Sequence, residues 1–177
     1  MTDSDKIRPL VIYQRLIPFG GKNMRRKDRE RDESFALSVA DNCKYAVVSM
    51  VDTEGKPYCV PLSIARDNNL IYFHCALEGF KIDCLKKNND VCISCVGHTK
   101  NVPEEFTTEY ESAIIRGKAF EVTESKEKIH ALKLICERYA KGNMAEFDSA
   151  IERSLSRTGI WKIEIDEITG KCKSMHN

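Results

Sequence analysis

The residues best suited to chemistry lie in one stretch of the chain, from residue 58 to residue 85. Gly79 and Lys81 stand at the start of a predicted helix, where free backbone N–H groups and a lysine ammonium can together bind an anion such as phosphate. Upstream, Pro61 interrupts a predicted strand; proline cannot donate to a β-ladder, so it marks an edge, a bulge or a ligand. By itself this short pattern favours a solvated lysine over a phosphate ligand, so other features must decide.

Several other chemistries are disfavoured by the sequence. It contains no GxGxxG that opens a helix after a strand, no GxxxxGK[ST], no GxSxG and no HExxH. With only four histidines, a site built from several imidazoles is not expected. The carboxylates stand in charged, solvent-like contexts, and no acid–base pair is distinguished among them.

The chain contains eight cysteines, and the sequence favours reduced thiols that pack as small hydrophobic groups. Cys92 and Cys95 form a CxxC, but they belong to a predicted buried strand and should point to opposite faces, which does not suit a shared metal. A thiol-based redox sensor is a third functional hypothesis. Cys84, close to Lys86 and Lys87, is the one thiol with an obvious positive charge nearby in sequence.

Composition indicates one soluble globular domain. The chain has 177 residues, 42% hydrophobic and 31% charged, with a net charge of +1. This balance gives no electrostatic reason to expect nucleic acid or an anionic membrane as a partner. The acidic, polar N-terminus and the lack of a membrane-length apolar run lead us to expect a cytoplasmic protein.

The pattern of apolar residues predicts mostly strands. Alternation and β-forming residues predict six strands, at residues 44–52, 57–65, 70–75, 91–96, 110–122 and 160–165. Helical periodicity predicts a short helix capped by Asp32 or Ser34, then helices near residues 79–87, 124–141 and 147–155. We expect a polar loop at residues 98–109, around Pro103, and a bend or bulge at Gly117.

Six strands with few helices predict a mostly β fold. Early strands that follow one another by hairpins favour an antiparallel sheet, and closure into a small Greek-key-type barrel with flanking helices would remove exposed edges. We expect three parts: an N-terminal arm (residues 1–23), the barrel domain (24–173) and a short tail (174–177).

Seven segments follow one another in a specific order along the chain: residues 24–30 (MRRKDRE), 58–62 (YCVPL), 70–74 (LIYFH), 78–83 (EGFKID), 110–114 (YESAI), 116–119 (RGKA) and 163–171 (IEIDEITGK). In this order they resemble the 5-nitroimidazole resistance (Nim-like) family of the pyridoxamine 5′-phosphate oxidase-like flavoproteins. The resemblance covers roughly residues 24–173, and segments agreeing in order are more specific than any single one.

The resemblance implies an FMN-binding split β-barrel, a homodimer, and FMN in the groove between subunits. Lys81, with Gly79, would bind the FMN phosphate, and Ser112 would contact the phosphate or the ring. His74 would lie near the flavin and substrate, and Trp161 would approach the cofactor from the partner subunit. The isoalloxazine would be lined by Val60, Pro61, Leu62 and Ser63.

Each assignment has a simpler alternative. His74 could be an ordinary strand histidine, Lys81 a solvated lysine, Ser112 a cross-strand hydroxyl and Trp161 a packing residue. Phe80 also departs from the family, which often has a second basic residue there, so one charge for phosphate is missing.

The first functional hypothesis is an FMN-dependent oxidoreductase. Its flavin would take electrons from a reduced nicotinamide or another donor and pass them to a small planar acceptor such as a 5-nitroimidazole, with His74 as a possible proton donor. The alternative is a non-catalytic module that binds flavin or haem, and a haem would need His74 or His98 as its axial ligand.

Overall fold

The computed structural model describes residues 24–174 of the chain, so the predicted arm at residues 1–23 and most of the predicted tail lie outside the described part. One sheet is formed by β1 (Glu30–Arg31), β2 (Ala46–Val51), β3 (Pro57–Leu62), β4 (Ala65–Asp67), β5 (Leu70–Cys75), β6 (Asp90–Val102), β7 (Thr107–Glu121) and β8 (Gly159–Lys173). The α-helices are α1 (Glu33–Asn42), α2 (Phe80–Lys87), α3 (Ser125–Tyr139) and α4 (Phe147–Ser154).

The sheet is antiparallel throughout, with the order β3-β2-β6-β7-β8-β5-β4 and with β1 paired to β8. The predicted six strands are confirmed as its long members, and β1 and β4 are short additions. The expectation that the sheet closes fully into a barrel was wrong for the described residues. The order of hydrogen-bonded strands ends at β3 on one side and at β4 on the other. β4 has only three residues and turns at once, through Asn68 at φ 53°, into a hairpin with β5.

The polar loop expected at residues 98–109 was also wrong. β6 continues to Val102 and β7 begins at Thr107, joined by a tight turn in which Phe106 has φ 47°. Opposed polar residues, such as Lys100 and Glu109, pair across this ribbon. A two-stranded ribbon projecting from the sheet needs few apolar residues, which is why its sequence looked like a loop.

The bend expected at Gly117 is confirmed. The register between β7 and β8 shifts between Arg116 and Gly117, as a bulge requires. A Cβ at this position would lie 2.1 Å from the carbonyl oxygen of Glu164, so only glycine fits without movement of the backbone.

Two apolar clusters hold the helices to the sheet. The main core packs α1 and α2 against the inner face, around fully buried residues such as Val48, Phe73 and Ile163. A smaller cluster packs α3 against Tyr72 of β5. Within residues 24–174, no helix is long and apolar enough to cross a membrane.

Candidate functional site

The start of α2 borders a cleft of about 220 Å³. Gly79 precedes the helix with φ 130°, a backbone conformation that disfavours other residues, and it offers no side chain to cap the first turn. Lys81 is partly buried here, and its Nζ lies 5.5 Å from the ring centroid of Phe73 on β5. A lysine ammonium and a helix N-terminus therefore face the same small cleft, as anion binding requires.

His74 lies on β5 and does not itself line this cleft, but the next residue, Cys75, does. Its side chain is exposed on the face of β5 that also carries Tyr72. The pKa of His74 is lowered, first by loss of water around part of its ring and then by the positive charge of Lys81. The imidazole is therefore neutral near pH 7 and can donate one N–H hydrogen bond.

An aromatic pair forms one wall of the same cleft. Tyr58 of β3 and Phe80 of α2 meet edge to face, with ring centroids 5.0 Å apart and an interplanar angle of 74°. The Phe80 side chain is 49% exposed, which is high for a phenyl ring. In the sequence, Tyr58 belongs to a segment that resembles the Nim-like family, whereas Phe80 is a residue that differs from that family. Only the fold shows that their two rings are in contact.

The four residues predicted to line a flavin ring divide between the two faces of the sheet. Val60 and Leu62 are partly buried and pack against the main core. Pro61 points to the outer face, opposite Val47 of β2, and Ser63 is exposed just beyond the end of β3. Of these four residues, Pro61 and Ser63 are therefore the two that are open to a ligand on the outside.

Ser112 shares that outer face, but the chain does not bring it to the α2 cleft. It lies on β7 between Val96 of β6 and Lys171 of β8, and β2 and β6 separate it from β3. Ser112 and Lys81 are therefore not neighbours in a single chain.

Trp161 lies in the main core, with 4% of its surface exposed, and pairs with Phe73 across β5 and β8. Its ring lines neither of the clefts described here. Within one chain, this placement agrees with the alternative that Trp161 is a packing residue rather than a cofactor contact.

A second, larger cleft of about 580 Å³ lies between α1 and the outer faces of β2 and β6. His98 is exposed at this cleft, and its backbone N–H donates to the Glu111 carboxylate at 3.2 Å. Around it the sheet exposes apolar side chains, including Val96 at 52% and Ile114 at 38%. This outer face therefore carries exposed apolar side chains beside the predicted site residue Ser112, which pairs with Val96.

Comparison with known proteins identifies the family of the fold. Residues 32–172 match the family model for pyridoxamine 5′-phosphate oxidase. A candidate 5-nitroimidazole antibiotic resistance protein from Bacteroides thetaiotaomicron is 33% identical, with a TM-score of 0.68 over 80% of this chain and 84% of that one. A search of curated proteins gave no match.

More distant structures share the fold. A flavocytochrome from Azotobacter vinelandii is 18% identical, with a TM-score of 0.65 over 85% of this chain and 72% of that one. An FAD- and haem-binding protein from Mycobacterium smegmatis is 18% identical, with a TM-score of 0.71 over 82% of this chain and 74% of that one. The chain therefore belongs to the pyridoxamine 5′-phosphate oxidase family of split β-barrel proteins.

Proposed function

We propose that this protein is an FMN-binding oxidoreductase that works as a homodimer and reduces a small planar acceptor such as a 5-nitroimidazole. The observation that carries the proposal is the α2 cleft, where Lys81, the helix N-terminus and the aromatic pair of Tyr58 and the exposed Phe80 face one space. The proposal is further supported by the relative described as a candidate 5-nitroimidazole resistance protein.

The residues of the cleft fit a phosphate with an attached organic group. Lys81 supplies one positive charge, and the first-turn N–H groups of α2 supply donors that no side chain caps. Glu78 also lines the cleft, and its carboxylate would oppose a phosphate. With Phe80 in place of a second basic residue, Lys81 is the main source of favourable charge.

A homodimer would explain why the predicted cofactor residues are distributed over one chain. Pro61 and Ser112 lie on the outer face of the sheet, among exposed apolar side chains, while Lys81 lies at one end of it. If a second copy covers the outer face, residues from both subunits can contact one FMN. Covering this face would also remove apolar surface from water.

When bound, FMN would supply the electron transfer, accepting reducing equivalents from a donor and passing them to the acceptor. The chain would hold the phosphate at Lys81 and orient the acceptor beside His74. A neutral His74 would donate an N–H hydrogen bond to an oxygen of the acceptor, and its protonated form, the minority near pH 7, would deliver a proton there. Trp161 has a packing role in this proposal.

The proposed reaction is tested under anaerobic conditions with FMN-loaded protein. Addition of NADH or NADPH should bleach the flavin absorption, and addition of a 5-nitroimidazole should restore it. Lack of bleaching with either donor would contradict a nicotinamide-dependent reductase. Flavin that is reduced but not reoxidised by the nitroimidazole would exclude that acceptor.

His74→Ala tests the role of the histidine, with His130→Ala as the matched control. His130 is an exposed histidine on α3 whose ring contacts Asp67. We expect His74→Ala to keep FMN and to lose about 100-fold in turnover, the usual scale of general acid catalysis. Equal turnover in the two variants would remove His74 from the mechanism.

A further inference from the structure

Two residues, Ser63 and Ile64, carry the chain from one edge of the sheet to the other. β3 ends at Leu62 and β4 begins at Ala65, yet these two strands stand at opposite ends of the strand order. Three residue steps span at most about 11 Å, so the two edges come close together at this point without pairing. We call this gap between β3 and β4 the seam of the sheet.

The backbone of Ile64 is held at the seam by side chains, because it pairs with no strand among residues 24–174. Ile64 is 1% exposed, so both of its polar backbone groups need partners within the protein. Its N–H donates to the Tyr139 hydroxyl oxygen at 3.2 Å, and that hydroxyl donates to its carbonyl oxygen at 3.1 Å. Nη1 of Arg138 donates to the same carbonyl oxygen at 2.8 Å. The end of α3 thus takes the place of a β-ladder.

Arg138 also ties the seam to α1. Its Nη2 donates to the carbonyl oxygens of Ala40 at 3.0 Å and Cys43 at 2.6 Å, at the C-terminal end of α1. Carbonyl oxygens at a helix C-terminus lack an intrahelical donor, and an arginine side chain can supply one. The guanidinium lies against the Tyr139 ring, with its Cζ 5.1 Å from the ring centroid. The two side chains therefore stabilise each other's positions as well as that of Ile64.

The segment just before Ile64 contains the residues that are open to a ligand. Ser63 is exposed, and Pro61 faces outward opposite Val47, which lines the larger cleft. The ladder with β2 fixes β3 as far as Leu62, and the α3 side chains fix Ile64. Ser63 therefore lies between two residues whose backbones are held, and its own backbone has little freedom.

We propose that Tyr139 and Arg138 are positioning residues of the flavin site, which hold Ile64 at the seam and so fix Pro61 and Ser63 against the isoalloxazine ring. This inference rests on the proposed FMN function. Neither α3 side chain contacts the flavin; both act through the backbone of Ile64. Groups that are fixed before a ligand arrives lose less conformational entropy on binding, so loosening them weakens binding.

The place of this segment in the fold separates its effect from that of the phosphate cleft. Lys81, at the start of α2, would contact the phosphate, which FMN has and riboflavin lacks. Pro61 and Ser63 would contact the ring, which both flavins have. Loss of the Tyr139 hydroxyl should therefore weaken both flavins by the same factor, whereas loss of the Lys81 charge should weaken FMN more than riboflavin.

The test measures the Kd of FMN and of riboflavin by fluorescence titration for wild type and Tyr139→Phe, with Tyr72→Phe as the matched control. The Tyr72 hydroxyl donates to Glu127 Oε1 at 3.2 Å, so it also joins the sheet to α3, but at the opposite end of that helix. We expect Tyr139→Phe to raise the Kd of both flavins about tenfold, with the ratio of the two Kd values unchanged. Tyr72→Phe should bind both flavins as wild type does.

A second measurement follows the ring itself. Visible circular dichroism of flavin-saturated protein reports the surroundings of the isoalloxazine, and it should change in Tyr139→Phe but not in Tyr72→Phe. Equal Kd values and spectra in the two variants would overturn the inference, as would a loss of affinity for FMN alone. Failure of wild type to take up either flavin would instead contradict the proposed function, and this inference with it.

Arg138→Lys separates the shape of the arginine from its charge. Lysine keeps the positive charge, but a single ammonium replaces the two nitrogens that reach the carbonyl oxygens of Ile64 and Cys43. We expect the Kd of both flavins to rise about fivefold, in protein whose far-ultraviolet circular dichroism is unchanged. Affinities equal to those of wild type would remove Arg138 from the proposal.

Discussion

Replacing Lys81 by glutamine should selectively weaken the binding of FMN. Lys81 is the lysine that faces the α2 cleft, and its ammonium is partly shielded from water against the Phe73 ring. Glutamine keeps a polar side chain of similar reach but removes the charge. The substitution therefore tests whether the cleft recognises the phosphate.

The expected magnitude follows from the partial burial of Lys81. A hydrogen bond to a charged group contributes about 1.5–3 kcal/mol. Because solvent screens a partly buried lysine, we expect Lys81→Gln to lose about 2 kcal/mol of FMN binding free energy, near the middle of that range. That loss corresponds to about a 30-fold higher Kd. Higher salt should weaken binding to wild type more than to Lys81→Gln.

The assay is a fluorescence titration of FMN, with Lys86→Gln as the matched control. Lys86 lies in the last turn of the same helix and is exposed, so its charge is far from the N-terminal cleft. We expect Lys86→Gln to bind FMN as wild type does. If Lys81→Gln and Lys86→Gln bind FMN with equal affinity, the assignment of the phosphate to the α2 cleft is refuted.

Three further predictions concern the fold and the cleft. Gly117→Ala should lower the free energy of unfolding by about 3 kcal/mol, because the new Cβ clashes with the Glu164 carbonyl, and should lower Tm by about 6–12 °C in calorimetry. The control Gly142→Ala, with no atom near its Cβ, should leave Tm unchanged. Equal Tm values for the two variants would contradict the bulge. Phe80→Lys should lower the Kd for FMN several-fold in the same titration, and weaker binding would show that the ring matters more than the missing charge. Because the pKa of His74 is lowered in the fold, the unfolded chain binds more protons below about pH 6.5, so acid destabilises the fold. In urea unfolding, His74→Gln should therefore lose less stability than wild type between pH 7 and pH 5. Equal losses in the two proteins would argue against the lowered pKa.

The sequence was informative where local chemistry decides the structure. Asp32, one of the two caps that the sequence predicted, caps α1, and its carboxylate accepts from the Phe35 N–H at 2.8 Å. Alternation located the six long strands, and Gly117 located the bulge. These features depend on a few neighbouring residues, so they can be predicted without the fold.

The sequence was less informative where distant segments meet. Tyr58 and Phe80 form a cleft wall, and Arg138 reaches Cys43, only because the sheet and α3 bring separate parts of the chain together. Closure of the barrel was also predicted from the general cost of free edges, but the strand order ends at β3 on one side and at the three-residue β4 on the other. No local pattern in the sequence carries this information.

The central claim is that the chain binds a flavin through its phosphate. The most direct test adds FMN, and in parallel riboflavin, which lacks the phosphate, to the purified protein and records the visible absorption spectrum. The account predicts stoichiometric uptake of FMN with twin flavin bands, and much weaker uptake of riboflavin. Equal uptake of both would contradict the phosphate site at α2, and no uptake, or a haem Soret band in the purified protein, would contradict FMN as the cofactor.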